Sequence, residues 1–209
     1  MLRFFVALAL LAAPTYAEDR ARAFDYYVLS LSWSANWCAL EGDGRNSPQC
    51  DDSTEFGWVM HGLWPQYDYG YPANCRTSER PPSRQQTEAM ADIMGTSGLA
   101  WYQWNKHGVC AGLPADDYFA VARAAYDRVT RPAVFRKLEK TVTLPASLIE
   151  DAFVKENPDM PRDGITITCQ QGYIQEAHIC LTRDLEFRTC GADVIRDCAL
   201  TSAQFDPMR

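Results

Sequence analysis

Leu99-Ala100-Trp101-Tyr102-Gln103-Trp104-Asn105-Lys106-His107-Gly108-Val109-Cys110 is the stretch on which the reading of this chain turns. Its spacing predicts a helix. Gln103 and His107 stand four residues apart, Gln103 and Lys106 three, and both separations put side chains on one helical face. One turn then presents an amide, an ammonium and an imidazole to a single point. Trp101 and Trp104 supply an apolar stripe to bury. Gly108 suits the helix end, and Cys110 can anchor the chain beyond it. Taken alone, the same residues also describe an amphipathic helix with a surface histidine.

A second stretch lies upstream. Trp58-Val59-Met60-His61-Gly62-Leu63-Trp64-Pro65-Gln66 sets a histidine among apolar residues, followed by Gly and Pro. Of the three histidines in the chain, two fall in these two stretches. Together the stretches resemble the two active-site segments of the ribonuclease T2 family, a His-Gly-Leu-Trp-Pro segment and then a Lys-His-Gly-x-Cys segment. The resemblance is specific over residues 58–75 and 99–110, looser over 24–38 and 165–198, and slight over 111–164.

The 209 residues suffice for one domain with a real core, and 47% apolar with 22% charged content is that of a globular chain. Arg3, the apolar run Phe4 to Ala13 and the small residues of Thr15-Tyr16-Ala17 read as a secretory signal peptide over residues 1–17. The run is too short to span a bilayer. A mature domain over residues 18–209 then starts at Glu18, and with no other long apolar run it has no membrane association after signal removal. The sequence holds no Asn-x-Ser/Thr acceptor, which favours a bacterial periplasmic or secreted protein. The formal charge of −7 is not the footprint of a tight nucleic-acid binder. It suits an enzyme that holds one or two nucleotides transiently, and at a sequence pI near 5.0 the repulsion fades in acid.

Cys38, Cys50, Cys75, Cys110, Cys169, Cys180, Cys190 and Cys198 make an even set behind an export signal, which reads as four disulfides. Counting alone leaves about 105 pairings open. No Cys-x-x-Cys pair occurs and histidines are few, so no zinc or other metal site is expected. The resemblance implies Cys75–Cys110, tying the two active-site segments together. Chain order adds Cys38–Cys50 and a Cys169–Cys198 bridge nested around Cys180–Cys190.

Leu29-Ser30-Leu31-Ser32-Trp33 alternates as a half-buried strand does. Phe56 to Leu63 reads as a second strand that delivers His61 near its end. Residues 66–83 are rich in Tyr, Gly and Pro and read as a loop beside the site. Ser83-Arg84-Gln85-Gln86 and Ser147-Leu148-Ile149-Glu150 match capping boxes, the first opening a helix towards Met94. Asp117 to Val129 has a core-forming helical stripe. Late in the chain the period shortens: residues 165–169, Tyr173 to Thr182 and Glu186 to Cys190 read as strands. Early strands, central helices and late strands predict an α+β fold, a largely antiparallel sheet with several packed helices in a single disulfide-bonded domain.

Cleaving RNA without a metal needs a base for the 2′-hydroxyl proton, an acid for the leaving 5′-oxygen, positive charge or donors for the phosphorane, and a surface that holds a base. Histidine suits the first two roles, lysine the third and tryptophan the fourth. The resemblance implies His107 as base and His61 as acid, exchanging roles when the 2′,3′-cyclic phosphate is hydrolysed, with Lys106 at the phosphate and Trp64 stacked on the base. Gln66 falls where the family varies its polar contact to the base. Tyr71 can close the other side of the pocket, whereas Tyr67 and Tyr69 read as loop packing. Ser32 falls where the family places a polar residue near a second base. Trp33, Trp37, Trp58 and Trp101 read as core, and His178 as structural or exposed. The departure is Tyr102-Gln103, where the family has His-Glu. Tyrosine and glutamine can still donate hydrogen bonds, but glutamine carries no charge and trades no proton.

The expectation is an exported, monomeric, metal-independent endoribonuclease that takes single-stranded RNA and not DNA, needs no cofactor, and leaves 2′,3′-cyclic and then 3′-phosphate ends. The alternative is a secreted RNA- or partner-binding homologue whose catalysis is weakened by Gln103.

Overall fold

The computed structural model describes residues 20–209. The predicted signal peptide, and the start at Glu18, lie outside the described residues. In chain order the elements are strand β1 (Tyr26–Trp33), a short helix α1 (Ser34–Trp37), strand β2 (Trp58–Gln66), helices α2 (Arg84–Glu88), α3 (Ala91–Met94), α4 (Ser97–Gln103), α5 (Val109–Ala111) and α6 (Ala115–Arg128), strand β3 (Val142–Leu144), helix α7 (Ala146–Glu156), and strands β4 (Ile165–Gln170), β5 (Tyr173–Leu181) and β6 (Ala203–Phe205). The six strands form one sheet in the order β2-β1-β5-β6-β3, with β4 also on β5. All pairings are antiparallel except a single parallel contact of β5 with β6 at Tyr173 and Gln204. This is the α+β architecture expected.

β1 lies between β2 and β5 and is buried on both faces, not the half-buried strand that its alternation predicts. The alternation sorts the faces by chemistry instead. Leu29, Leu31 and Trp33 enter the main core with Met60, Leu63, Ile165, Ile167, Ala177 and Ile179, under Trp104, Tyr118, Ala122, Ile149 and Phe153 from the helices. Each large apolar side chain so buried contributes about 1.5–3 kcal/mol. Trp33 stacks on Phe205 with centroids 4.5 Å apart, and Trp58 meets Trp33 and Phe153 edge-on at 5.3 and 5.4 Å. The opposite face carries Val28, Ser30 and Ser32, opposed on β5 by Cys180, His178 and Glu176.

The β1–β2 ladder contains one irregularity. Ser30 opposes Gly62, while Leu31 opposes Met60, so His61 is an extra residue in β2. A bulge shifts the alternation by one. In a regular strand His61 and Trp64, three apart, would face opposite ways. Here Trp58, Met60 and Leu63 share the core face, and Val59, His61, Trp64 and Gln66 share the other.

The decisive helix is longer and less regular than its spacing predicts. α4 opens on Thr96, whose Oγ1 accepts from Leu99 N at 3.2 Å. After Gln103 the chain makes one π turn, Trp104–Gly108, before α5. The end is Gly112, at φ +67°, and not Gly108. Gly108 is needed for close packing instead: a Cβ there would lie 2.8 Å from Tyr118 Cε1 and 2.9 Å from Trp104 Cδ1. Only Trp104 of the expected tryptophan stripe is buried, and Trp101 is 52% exposed. Trp37 is only half-buried.

Two further expectations need correction. Ser83 and Gln86 do form a capping box, but Ser147 does not cap a helix. α7 already starts at Ala146 behind Pro145, and the Glu150 side chain is buried. Burial, with Asp197 beside it, raises that carboxyl to about 7. Residues 186–190 are not a strand; Phe187 makes one isolated bridge to Leu181, and β6 and β3 complete the sheet instead. The cysteines pair as Cys38–Cys50, Cys75–Cys110, Cys169–Cys198 and Cys180–Cys190.

Candidate active site

The polar face of the sheet and the π turn enclose a cleft of about 640 Å³. His61, Trp64 and Gln66 reach it from β2, Tyr102, Gln103, Lys106 and His107 from the helix, and Tyr71 from the loop. These eight are the residues singled out in the sequence, and all line the one cleft. The Cys75–Cys110 disulfide and the Asn74 N–H donating to Lys106 O at 2.8 Å bind the loop to the helix. That link sets the Tyr71 ring 5.9 Å from His107.

Trp64 is the hub. Its ring centroid lies 5.4 Å from His61, 5.2 Å from His107 and 5.4 Å from His178. Its indole N–H donates to Gln103 Oε1 at 2.8 Å. A Cβ on Gly62 would fall 2.3 Å from Trp64 Nε1 and 2.7 Å from Gln103 Oε1, so the residue after His61 must be glycine for the indole to lie there.

His107 is 5% exposed, and its Nδ1 is buried without a hydrogen-bond partner among the described residues. Burial, then the positive charges of Lys106 and His61, lower its pKa to about 3. The ring is therefore neutral near pH 5–7, with one ring nitrogen free of a proton. His61 is held differently: Nδ1 is 2.5 Å from Glu176 Oε1. Burial pushes the Glu176 carboxyl up, but hydrogen bonds from His178 and His61 outweigh it and hold the group well below the usual carboxylate range.

Sequence reasoning missed part of the lining. His178, read as structural or exposed, lines the cleft, as do Thr168, Asp193 and Arg196. Tyr69, read as loop packing, is 80% exposed on the rim. The usable signal was Glu176-Ala177-His178: in a strand both ionisable residues take one face, and a buried face seldom holds two without a use. A second cleft of about 580 Å³ adjoins the first and shares His61 and Tyr102 with it; Ser32, Trp37 and Glu176 are among its lining residues.

The profile of the Ribonuclease T2 family matches residues 24–190. A ribonuclease of Aeromonas hydrophila is 38% identical over 127 residues, 58% of this chain and 56% of that protein, so the chain spans about half the length of this curated relative. Among solved structures, an RNase-related protein from Calystegia sepium superimposes with a TM-score of 0.68 at 17% identity, covering 88% of this chain and 97% of the other. RNase NT in complex with 5′-AMP gives 0.62 at 19%, covering 88% and 99%. The profile takes in both histidine segments, and the sheet and helices that carry them have the same fold in those structures: the chain belongs to the ribonuclease T2 family.

Proposed function

We propose that the protein is an exported, metal-independent endoribonuclease whose catalytic domain starts at Glu18 and which cleaves single-stranded RNA by transphosphorylation. Neutral His107 takes the proton of the 2′-hydroxyl, and the 2′-oxygen attacks phosphorus. Lys106 and the Gln103 amide stabilise the crowded phosphorane, with Tyr102 at the rim. His61 gives the proton from Nε2 to the departing 5′-oxygen. The 2′,3′-cyclic phosphate is then opened by water with the two histidines exchanging roles, which leaves a 3′-phosphate. DNA lacks the attacking hydroxyl and is not a substrate. Side chains supply acid, base and charge, so no step calls for a metal. Trp64 stacks on one base, with Gln66 and Tyr71 beside it.

The observation that carries this reading is that His61 and His107, from different elements, pack against one indole with Lys106 lining the same cleft. The adjoining second cleft meets the first at His61, which suits a phosphate flanked by two nucleotides. The family relationship and the 5′-AMP complex of RNase NT point the same way. The test is product analysis on dinucleotides and RNA, with and without EDTA. Cyclic and then 3′-phosphate ends are expected, insensitive to chelator and abolished by His61→Ala or His107→Ala. A second reading, an RNA- or partner-binding homologue with weakened catalysis, is favoured by Gln103, which carries no charge, is 2% exposed and has its amide oxygen already committed to Trp64. RNA binding without turnover by the purified protein would select it.

A further inference from the structure

Glu176 is a buried carboxylate on β5, 8% exposed. Its described partners are three donors. Oε1 lies 2.5 Å from His61 Nδ1 and accepts from Ser32 Oγ at 3.1 Å; Oε2 lies 2.8 Å from His178 Nε2. Three adjacent strands, β2, β1 and β5, thus converge on one side chain. Burying a carboxylate is costly unless it is hydrogen-bonded, and these contacts offset that cost.

We propose that Glu176 is a positioning residue for the reaction: it clamps His61 in the tautomer that presents Nε2 to the cleft and ties that ring to His178 as a third, supporting histidine. This rests on the two-histidine reading above and deepens it. An ionised carboxylate only accepts, so both imidazole contacts are N–H donations. His61 therefore carries a proton on Nδ1 in either charge state, and Nε2 alone gains and loses the proton that the reaction moves. When Nε2–H passes its proton to the 5′-oxygen, the ring becomes neutral with Nδ1–H still bound to Glu176. When Nε2 takes a proton from water in the second step, the ring becomes cationic again beside the same carboxylate.

Three features of this chain call for such a clamp. His61 is the bulged residue, so the ladder does not fix its position as it would a paired residue. The helix supplies an amide, Gln103, where a carboxylate would face the site. Asp193, which also lines the cleft, has no described hydrogen bond to either histidine: Oδ2 accepts from Gly70 N at 2.7 Å, and Oδ1 is buried without a described partner. His107 shows the contrast: its Nδ1 has no described partner, and packing against Trp64 and Tyr71 holds the ring instead.

The test combines kinetics and spectroscopy on the full chain. Glu176→Gln keeps shape and one acceptor but loses the charge and the obligatory acceptance. It should lower kcat on a dinucleotide by about 10- to 100-fold, by analogy with partners that orient metal-ligating histidines, with KM within about twofold. Glu176→Asp should recover part of the loss, and His178→Gln should lower kcat less than Glu176→Gln does. Long-range proton–nitrogen NMR of the wild-type protein at a pH where His61 is neutral should show Nδ1–H on His61 and Nε2–H on His178. In Glu176→Gln the His61 signal should move towards a tautomer mixture. Wild-type kcat in folded Glu176→Gln, or an Nε2–H tautomer of His61 in the wild type, overturns the clamp; the second measurement decides even where the variant does not fold. The two readings fail separately. A fully active His61→Ala sinks the two-histidine mechanism, whereas an inactive His61→Ala with an unimpaired Glu176→Gln removes only the clamp.

Discussion

Trp64 and Gln103 are joined by a hydrogen bond of 2.8 Å from the indole N–H to the amide oxygen, and it fixes the orientation of both. The indole accepts nothing through nitrogen, so Oε1 must be the atom that faces it and the amide NH₂ points away. Glutamate could accept the same bond while adding a charge beside Lys106 and His107. If charge at this position assists proton movement around the phosphate, Gln103→Glu raises the cleavage rate on a dinucleotide. Because the residue is a helper and not the acid or base, the gain should be about tenfold or less, below the 10²–10⁴ of a general acid or base. The gain should grow with pH through the carboxylate's titration. Rates of both proteins from acidic to neutral pH decide it; a variant no faster at any pH ends the charge hypothesis.

Gly62 lies under that same hydrogen bond. Gly62→Ala forces the Trp64 ring or Gln103 aside, and overpacking of this kind costs about 1–3 kcal/mol. The expected result is a lower urea midpoint together with a raised KM, since the displaced indole no longer offers its face to the base. Unaltered KM and midpoint would show that the strand can yield without moving the indole.

As the proposed base, His107 should set the acid limb of activity. As base it must be neutral, and burial, Lys106 and His61 hold its pKa at about 3, well under the ordinary 6.5. The fall of kcat/KM in acid should therefore lie below pH 5. Lys106→Gln should move that limb towards neutral by removing a positive neighbour, besides lowering the rate. The same shift governs stability. Between about 3 and 6.5 the unfolded chain binds the proton and the folded chain does not, so stability from this group is complete above 6.5 and is lost as pH falls towards 3. A kcat/KM acid limb centred at the ordinary histidine value contradicts the assignment of His107 as base.

Loss of Cys75–Cys110 should cost about 2–5 kcal/mol. It closes 35 residues against the 12 of Cys38–Cys50, and it alone of the two joins the Tyr71 loop to the His107 helix. Paired Cys→Ser variants compared by thermal midpoint and dinucleotide turnover should show the larger loss of both for Cys75/Cys110. Equal loss of activity from the two pairs would mean that the bridge does not organise the cleft.

Much of this protein was already determined by local sequence. The two histidine segments, the capping box at Ser83 and the periodic helix α6 each depend on residues near one another in the chain, and the even cysteine count on composition alone, so spacing and side-chain chemistry reveal them. What tertiary structure decided is how those segments meet. His61 and Trp64 share a face only because β1 pairs on both sides of a bulge, and the bulge exists only in the register with Ser30 and Leu31. The packing use of Gly108 arises from its contact with Tyr118, and the π turn after Gln103 and the exposure of Trp101 likewise depart from what a helical wheel contains. Glu150 turned from cap to buried acid because α7 packs over β4 beside Asp197. Glu176 reaches His61 across 115 residues of sequence. Such pairings depend on the register of strands far apart in the chain, where a shift of one residue turns every side chain to the other face, and that is why the sequence could name the site but not its carboxylate.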